Sequence, residues 1–504
     1  MSKPFKVGFA AGCAAATLTS AAMYLLGALS GVTPLPQALQ EPILGVMPGP
    51  AFGFLIDRLQ HTGKVVEEMG LLLALILGGG LLAGLLALAD RRRQIPSKSI
   101  VDAAALYLVV GLVLLPLAGW GPLGLGQGIT VAVVWALLAA VYGVTLEICA
   151  AGLAPSPTSA SGPVFSPARR RFVFGLPAAA ALLGLGGIAI FKVPGWLTAL
   201  AGGVGLKPAG PSPFITPANN FYLVSKNFSD PALRAAAWSL MVGGMVEQPH
   251  RYSYNEFRGL AATTQITTLE CVSNLVGGNL ISNGRFSGVP LQQLLAAAHP
   301  NAAAAAVNFG SADGFSEGIT LEAVMSDPQI MVVHSLDGAP LPDSHGFPAR
   351  ILIPGHYGMR GPKWLTSISV AKSVGGGFWE GQGWNHDAVV KTFSRFDVPQ
   401  NGQTLKARTP FAVAGVAFAG LRGISAVEWS HNGGASWNGA QLVGTPMRGV
   451  WTLWTSSWTA AKQGTYQLKV RARDGQGTLQ DPRAQSSYPL GASGYHTINV
   501  DVSD

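Results

Sequence analysis

The three cysteines of this 504-residue chain lie in two different settings. Cys13 and Cys149 fall inside long apolar runs, where a free cysteine usually packs as a small hydrophobic side chain. Cys271 lies in a polar, glycine-rich stretch and is the only cysteine after residue 192, so it cannot form a disulfide within that part of the chain. Such a thiol is either inert or chemically used, and its thiolate is a soft ligand that suits a transition metal.

The sequence around Cys271 favours the second interpretation. Residues 268–283 read T-L-E-C-V-S-N-L-V-G-G-N-L-I-S-N, and F-S-G-V-P-L follows at 286–291. These segments resemble the molybdenum-binding region of the sulfite oxidase family of molybdopterin enzymes. The resemblance implies that the Cys271 thiolate binds molybdenum. Gly277 and Gly278 are expected to let the backbone approach this bulky ligand closely.

Further segments match the family in the family's own order. Residues 343–350 contain H-G-x-P-x-R, and residues 357–365 resemble the family's G-x-x-x-x-K-W-L. An arginine fork matches a phosphate in two hydrogen bonds, which gives Arg350 a physical reason to hold the cofactor; a surface ion pair is the alternative. By resemblance, the pterin-contacting residues are Asn219, Tyr222, Leu223, Ser311, His345, Arg350, Gly361, Pro362 and Lys363.

One departure from the family bears on the substrate. Sulfite oxidases carry Arg followed by Asn-His where this chain has Lys226, Asn227 and Phe228. A lysine keeps the positive charge but lacks the fork that suits a dianionic oxyanion, which argues against sulfite itself. Lys226 and the aromatic pair Phe378 and Trp379 are candidates for the substrate pocket, with packing as the alternative role of the aromatic pair.

The elements that position these residues belong to two predicted domains. Short apolar runs between turn signals predict a mixed α/β molybdopterin domain over 210–398. From residue 399 to residue 504 only short strands separated by Gly and Asn follow, which predicts a β-sandwich. By resemblance, this sandwich is the family's immunoglobulin-like dimerisation domain.

The region 1–195 is predicted to be a transmembrane anchor, because it holds apolar runs of the roughly 20 residues that a bilayer-spanning helix needs. Residues 41–60 contain Glu41, Asp57 and Arg58 and two prolines, so we expect an interfacial or re-entrant helix there rather than a span. The five predicted spans lie near 7–31, 69–89, 100–119, 129–151 and 172–191. None of them contains a histidine, which predicts an anchor and not a b-type cytochrome.

The formal charge of +8 does not indicate a nucleic-acid partner. The clusters at 91–93 and 169–171 stand beside apolar helices, where basic residues signal topology. The sequence also lacks the alternation of aromatic and basic residues that is typical of single-strand binding. With five spans, the loops that contain these two clusters lie on the same side of the membrane as the N-terminus. Because basic loops are typically cytoplasmic, this predicts a cytoplasmic N-terminus and an outer location for all residues after 192. Residues 169–173 also resemble a twin-arginine export signal; a plain positive-inside cluster is the alternative.

These features predict a molybdopterin-dependent oxidoreductase on the outer face of a bacterial cytoplasmic membrane. It would exchange an oxygen atom with a small, sulfite-like oxyanion, with Cys271 and Lys226 as catalytic residues. Electrons would pass to a separate cytochrome or quinone carrier, and a homodimer is compatible with the resemblance. The alternatives are an S- or N-oxide reductase of the same fold, a non-catalytic membrane-docked binding protein, and a cell-surface adhesion module.

Overall fold

The computed structural model describes residues 3–59, 62–89, 98–153, 178–190, 192, 210–227 and 230–504. The chain divides into two compact units, Met1–Met47 with Thr62–Ala201, and Pro48–His61 with Gly202–Asp504. The basic clusters at 91–93 and 169–171 and the residue Phe228 lie outside the described residues.

The first unit consists of apolar helices. Four helices of the described residues are long and apolar enough to cross a membrane, namely Pro4–Ser30, Thr62–Ala89, Ser99–Leu117 and Ile129–Ala150. The shorter apolar helix Ala178–Ile190 covers part of the fifth predicted span, whose first residues lie outside the described part. In chain order the helices are α1 Lys3–Ser30, α2 Leu35–Ala38, α3 Gln40–Val46, α4 Gly49–Leu59, α5 Thr62–Ala89, α6 Lys98–Val109, α7 Leu115–Leu117, α8 Ile129–Leu153 and α9 Ala178–Ile190. A π-helical turn, Val110–Leu114, joins α6 to α7, so that the two form one continuous helix.

Small residues bring α1 and α5 into close contact. A Cβ atom on Gly12 would lie 2.8 Å from the carbonyl oxygen of Gly79, and one on Gly80 would overlap the sulfur of Cys13. Close backbone approach of this kind is the usual way in which apolar helices associate without a hydrophobic driving force. Cys13 and Cys149 are free thiols, as their predicted packing role requires.

The stretch 41–60 does not form one long helix. It forms most of α3 and the whole of α4, and neither helix reaches the length of a membrane span. Met47 between them has an extended backbone, and Pro48 follows it. Although the sequence placed this stretch in the anchor, α4 belongs to the second unit, because Gly53 lies so close to the ring of Tyr488 that a Cβ atom there would overlap it.

The mixed α/β part of the second unit contains two sheets. Their strands are β1 Ser239–Gly244, β2 His250–Ser253, β3 Thr263–Glu270, β4 Ile281–Pro290, β5 Ala306–Ser311, β6 Ser316–Thr320, β7 Met331–Leu336, β8 Ala339–Pro340, β9 Arg350–Leu352 and β10 Leu365–Ala371. The first sheet has the strand order β2-β1-β10-β5-β6. In the second sheet β3, β4 and β7 are neighbours, and both β8 and β9 pair with β7. The helices of this part are α10 Tyr254–Gly259, α11 Leu291–Ala298, α12 Leu321–Ser326 and α13 Phe378–Gly381.

Two apolar clusters hold this part together. One packs β1 and β10 against α11 through Leu240, Ile368 and Leu295, each of them fully buried or nearly so. The other includes Cys271 and Phe286 and packs around the segment that begins at Phe221. The second cluster therefore includes predicted site residues, namely Cys271 and Tyr222, and packs directly beside the others.

The C-terminal part forms two facing sheets with one shared core. The strands are β11 Phe393–Val398, β12 Thr404–Lys406, β13 Pro410–Phe418, β14 Ile424–Ser430, β15 Asn438–Gly439, β16 Gln441–Val443, β17 Thr452–Thr459, β18 Gly464–Asp474 and β19 His496–Ser503. The strand orders of the two sheets are β11-β13-β17-β16 and β12-β19-β18-β14-β15. Burial alternates along β18, whose residues Leu468, Val470 and Ala472 face the core, as expected for a strand with one side on solvent.

The two-sheet arrangement agrees with the predicted sandwich, and the immunoglobulin-like assignment stays a prediction. The sandwich begins earlier in the chain than residue 399. Strand β11 pairs with β13, and its residue Phe396 is fully buried in the shared core. The predicted boundary therefore falls after the first strand of the sandwich. The sequence of the run 393–398 predicts a strand, but it does not indicate which sheet that strand joins.

Candidate active site

One cavity of the second unit collects most of the predicted site residues. It contains about 870 Å³ of space, part of which is open to solvent. The predicted residues that line it are Tyr222, Leu223, Lys226, Cys271, His345, Arg350, Gly361, Pro362, Lys363 and Trp379. The cavity is also lined by residues without a functional prediction from the sequence, including Phe221, Val224, Ser225, Ser273, Asp313, Phe315, Met359 and Trp384.

Cys271 enters the cavity from a loop that is held at both ends. The loop leaves β3 after Glu270 and returns to β4, and the amide of Cys271 donates to the carbonyl of Leu280 at 2.9 Å. The side-chain amide of Asn274 donates to the Glu270 carboxylate at 2.9 Å, while its oxygen accepts from the amide of Leu280 at 3.0 Å. These bonds fix the backbone on both sides of the thiol, which is what a metal ligand requires.

The surroundings of the Cys271 sulfur suit a ligand better than a free nucleophile. The side chain is buried, and its sulfur lies 3.1 Å from the hydroxyl oxygen of Ser273. Burial raises the pKa of the Cys271 thiol, and the hydrogen bond from Ser273 opposes that shift only in part. A bound transition metal deprotonates a coordinating thiol outright, so a buried thiol of this kind can serve as a ligand without being reactive on its own.

Gly277 and Gly278 have a different role from the predicted one. Neither lines the cavity; a Cβ atom on Gly277 would overlap the ring of His496, and one on Gly278 would overlap the side chain of Asn274. Gly277 also has a positive φ of 73°, which glycine adopts without strain. The two glycines therefore allow the loop to turn tightly against neighbouring protein, and the expectation that they make room for the cofactor was wrong.

Arg350 joins the two segments that carry the predicted pterin residues. Its guanidinium donates to the carbonyl of His345 at 3.4 Å and to the carbonyl of Gly361 at 3.2 Å. Its Nε is buried and has no hydrogen-bond partner among the described residues. Buried donors are rarely left unsatisfied, so a guanidinium with a spare N–H at a cavity wall fits an anionic group such as the phosphate of a pterin cofactor.

His345 and Lys363 flank Arg350 on the same wall. Burial, together with the charges of Arg350 and Lys363, lowers the pKa of His345 to about 3, so its ring is neutral at neutral pH. The ammonium of Lys363 donates to the carbonyl of Ser344 at 2.8 Å and to that of Val224 at 3.2 Å. This wall therefore combines a neutral imidazole with two cations, a donor set that fits a polar heterocycle bearing a phosphate.

Lys226 faces the cavity with its charge already paired. Its ammonium donates to the backbone carbonyl of Asp313 at 2.9 Å and lies 4.0 Å from the carboxylate of the same residue. Asn227 donates to that carboxylate at 2.9 Å. The ammonium also lies 5.1 Å from the ring centre of Phe378, close enough for a cation–π contact. Asp313 lies two residues after the predicted Ser311, but it was missed because it lies 87 positions from Lys226 and nothing in the sequence links the two.

Three predicted residues lie outside the cavity lining. Asn219 is exposed in the turn Ala218–Asn220. Ser311 ends β5, and its hydroxyl is buried with no hydrogen-bond partner among the described residues. Phe378 packs behind the lining, with its ring 5.0 Å from Trp379 and 5.7 Å from Phe315. The chain reaches the cavity at Phe221, directly after the turn that contains Asn219. The motif match therefore included Asn219 because it is next to lining residues in the sequence.

Comparisons with known proteins show that this chain is similar to molybdopterin enzymes. Residues 227–379 match the family model described as the oxidoreductase molybdopterin binding domain. A YedZ1 protein of Azospira oryzae, named as a subunit of a protein-methionine-sulfoxide reductase, is 32% identical over 186 residues, which are 36% of this chain and 66% of the relative. The catalytic subunit MsrP of a protein-methionine-sulfoxide reductase of Ralstonia nicotianae is 29% identical, over 35% of this chain and 58% of the relative.

Two further proteins are similar to this chain. Sulfite oxidase of Arabidopsis thaliana is 24% identical over 282 residues, which are 47% of this chain and 72% of the relative. The crystal structure of the sulfane dehydrogenase SoxCD from Paracoccus pantotrophus superposes with a TM-score of 0.51 and 21% identity, covering 59% of this chain and 86% of that one. At this identity the superposition shows a shared fold. The chain spans only 66% and 58% of the two methionine-sulfoxide reductase relatives.

Proposed function

Because this chain belongs to the sulfite oxidase family of molybdopterin-dependent oxidoreductases, we propose that it exchanges an oxygen atom with a small substrate that enters the cavity beside Cys271. When bound, the molybdenum cofactor supplies the oxygen-atom chemistry and stores the electrons. Cys271 is the proposed metal ligand. The wall that joins His345, Arg350 and Gly361–Lys363 holds the pterin and its phosphate.

The pairing of Lys226 is the observation that selects the substrate class. A sulfite-like dianion needs unpaired positive charge, but the Lys226 ammonium lies against Asp313, and both side chains are at least nine-tenths buried. The rest of this side of the cavity is aromatic, with Phe315, Trp379 and Trp384. A neutral S-oxide suits such a pocket, because its apolar groups contact the rings while its polarised oxygen needs no full counter-charge.

The proposed reaction is therefore the reduction of an S-oxide to a thioether. The S=O bond breaks, two protons and two electrons are taken up, and the oxygen leaves as water. The electrons come from a separate redox carrier. The second candidate is the oxidation of a sulfite-like oxyanion, which the positive charge of Lys226 would favour if Asp313 did not oppose it. This reaction runs in the opposite sense: water supplies the oxygen, two protons are released and two electrons leave to the carrier.

Turnover of the purified, molybdenum-loaded full chain separates these two functions. With reduced viologen as the artificial carrier, we expect aryl and alkyl S-oxides to support carrier oxidation at rates well above that of sulfite-dependent ferricyanide reduction. Sulfite oxidation without S-oxide reduction would reverse the assignment. Absence of both activities in a preparation with stoichiometric molybdenum would favour a non-catalytic binding protein.

The same assay tests the role of the charge pair. Asp313→Asn removes the negative charge but keeps the size of the side chain, so Lys226 gains an unopposed charge. We expect the KM for sulfite-like anions to fall about tenfold, which is about 1.4 kcal/mol, because two charges about 4 Å apart interact by a few kcal/mol at the effective dielectric constant of a protein. The KM for a neutral S-oxide should change little. An equal change for both classes would argue against charge-based selection.

We propose that the first unit anchors the enzyme in a bacterial cytoplasmic membrane. The four long apolar helices and the positions of the basic loops support a cytoplasmic N-terminus and an outer location for the residues after 192. An exported oxidoreductase must then receive electrons from a membrane quinone system or an outer-face cytochrome.

Reporter fusions test this topology. Alkaline phosphatase, which is active only after export, should be active when fused after residue 125 and after residue 210. Green fluorescent protein fused at the same two sites should be dark if it is exported unfolded through the general secretion pathway. A fusion after residue 95 is the control and should show the opposite pattern. Cytoplasmic activity at residue 210 would contradict the proposed orientation.

A further inference from the structure

The aromatic side of the cavity comes from a segment with little regular structure. We call residues 374–386 the aromatic loop; it connects β10 to β11 and brings Trp379 and Trp384 to the cavity. Its only regular element is the single turn α13, and three consecutive glycines, Gly375–Gly377, precede that turn. Glycines cost the most conformational entropy to order, so a specific interaction must hold this loop in place.

Arg360 supplies that interaction. Its side chain is about 5% exposed and reaches the aromatic loop from the segment between Met359 and Gly361, both of which line the cavity. The guanidinium contacts the Glu380 carboxylate at 2.9 Å and donates to the carbonyl of His386 at 3.0 Å. It therefore contacts the loop at two points, one on either side of Trp384.

The other contacts of Arg360 fix the guanidinium itself. It donates to the backbone carbonyl of Gly318 at 2.8 Å and lies 3.2 Å from the carboxylate of Glu317 on β6. Glu380 in turn accepts from the amide of Gly377 at 3.0 Å, which closes the single turn that carries Trp379. Arg360 thus links strand β6 and the aromatic loop to its own segment, 358–363, which is predicted to bind the cofactor. A planar guanidinium can do this because it donates to several acceptors at once.

We propose that Arg360 is a positioning residue for substrate selection, which sets the distance of the aromatic loop from the cofactor-binding segment 358–363. This inference rests on the proposed function, because the aromatic loop is the part of the cavity that would contact the apolar groups of an S-oxide. Arg360 acts through Trp379 and Trp384 and does not itself line the cavity.

Steady-state kinetics of Arg360→Met, Arg360→Lys and Glu380→Gln test the proposal. We expect the KM for an aryl methyl sulfoxide to rise at least about tenfold in Arg360→Met with a smaller change in kcat, the pattern of lost uniform binding. The KM for dimethyl sulfoxide, which has little surface to place on the rings, should rise less. Arg360→Lys keeps the charge but not the fork and should fall between the wild type and Arg360→Met.

Arg471→Met is the matched control, because Arg471 forms a comparable bridge to Glu428 at 2.9 Å in the sandwich and lies outside the cavity. General destabilisation lowers the active fraction, and hence the apparent kcat, without changing KM. An unchanged KM in Arg360→Met and in Glu380→Gln would overturn the proposal. If Arg360→Met does not fold, the near-isosteric Glu380→Gln, which loses the charge opposite Arg360, carries the test.

Hydrogen exchange gives a readout that needs no substrate. In Arg360→Met, amides of residues 374–386 should exchange at least about tenfold faster than in the wild type and in Arg471→Met, while β3 and β4 stay protected. Unchanged exchange in the aromatic loop would overturn the positioning role. If the wild type reduces no S-oxide, the proposed function fails while this measurement still decides the role of Arg360.

Discussion

Cys271→Ser should lose more than about 100-fold in turnover while the protein stays folded. Groups that merely orient a metal ligand cost about 10- to 100-fold when removed, so loss of the ligand itself should cost more. Serine keeps the size of the side chain and a hydrogen bond to Ser273, but it replaces a soft thiolate with a hard, weakly acidic oxygen. The pterin should remain bound, because Arg350 and Lys363 hold it through its own groups.

The measurements for this variant are molybdenum content, the visible thiolate-to-metal absorption and turnover with an artificial carrier, each normalised to folded protein. Cys149→Ser is the matched control, since Cys149 is buried among the apolar helices and should leave all three readouts unchanged. Full activity with an unchanged spectrum in Cys271→Ser would falsify the ligand assignment, and the proposed function would lose its main support.

Arg350→Met should lose the cofactor itself. The guanidinium bonds the carbonyls of His345 and Gly361 and has a buried Nε with no partner among the described residues. Methionine removes the phosphate contact and leaves two buried carbonyls unsatisfied, at a cost of about 1–3 kcal/mol for each. We expect the folded variant to contain at least tenfold less pterin and at least tenfold less molybdenum than the wild type, as measured after extraction. This loss corresponds to a binding free energy that is weaker by about 1.4 kcal/mol or more.

Two further variants distinguish cofactor binding from stability. Arg350→Lys keeps the charge without the fork and should retain an intermediate cofactor content. Arg251→Met removes an exposed arginine on β2 and should retain the full content. Unaltered pterin in a folded Arg350→Met protein would show that Arg350 is a structural residue and not a phosphate ligand.

Local sequence determined the chemistry of the predicted site. Cys271, His345 and Arg350 belong to short motifs in which residue types and spacing carry the resemblance to a molybdopterin family, and the three residues line one cavity. The apolar runs in the first half likewise fixed where the long helices form, because hydrophobic length is a property of contiguous residues. The alternation of buried and less buried residues along β18 is likewise a property of contiguous residues.

Tertiary structure decided which charges and rings share the site. Asp313 neutralises Lys226 although the two residues are 87 positions apart in the sequence. Arg360 likewise contacts Glu380, which is 20 positions away, and Gly318, which is 42 positions away. Trp384 enters the cavity from a loop without any motif, and Gly277 is required by the ring of His496. These contacts depend on which strands and loops become neighbours, and no local periodicity encodes that choice. The sequence therefore determined which residues are predicted to bind the metal, while long-range packing set the polarity of the proposed substrate pocket.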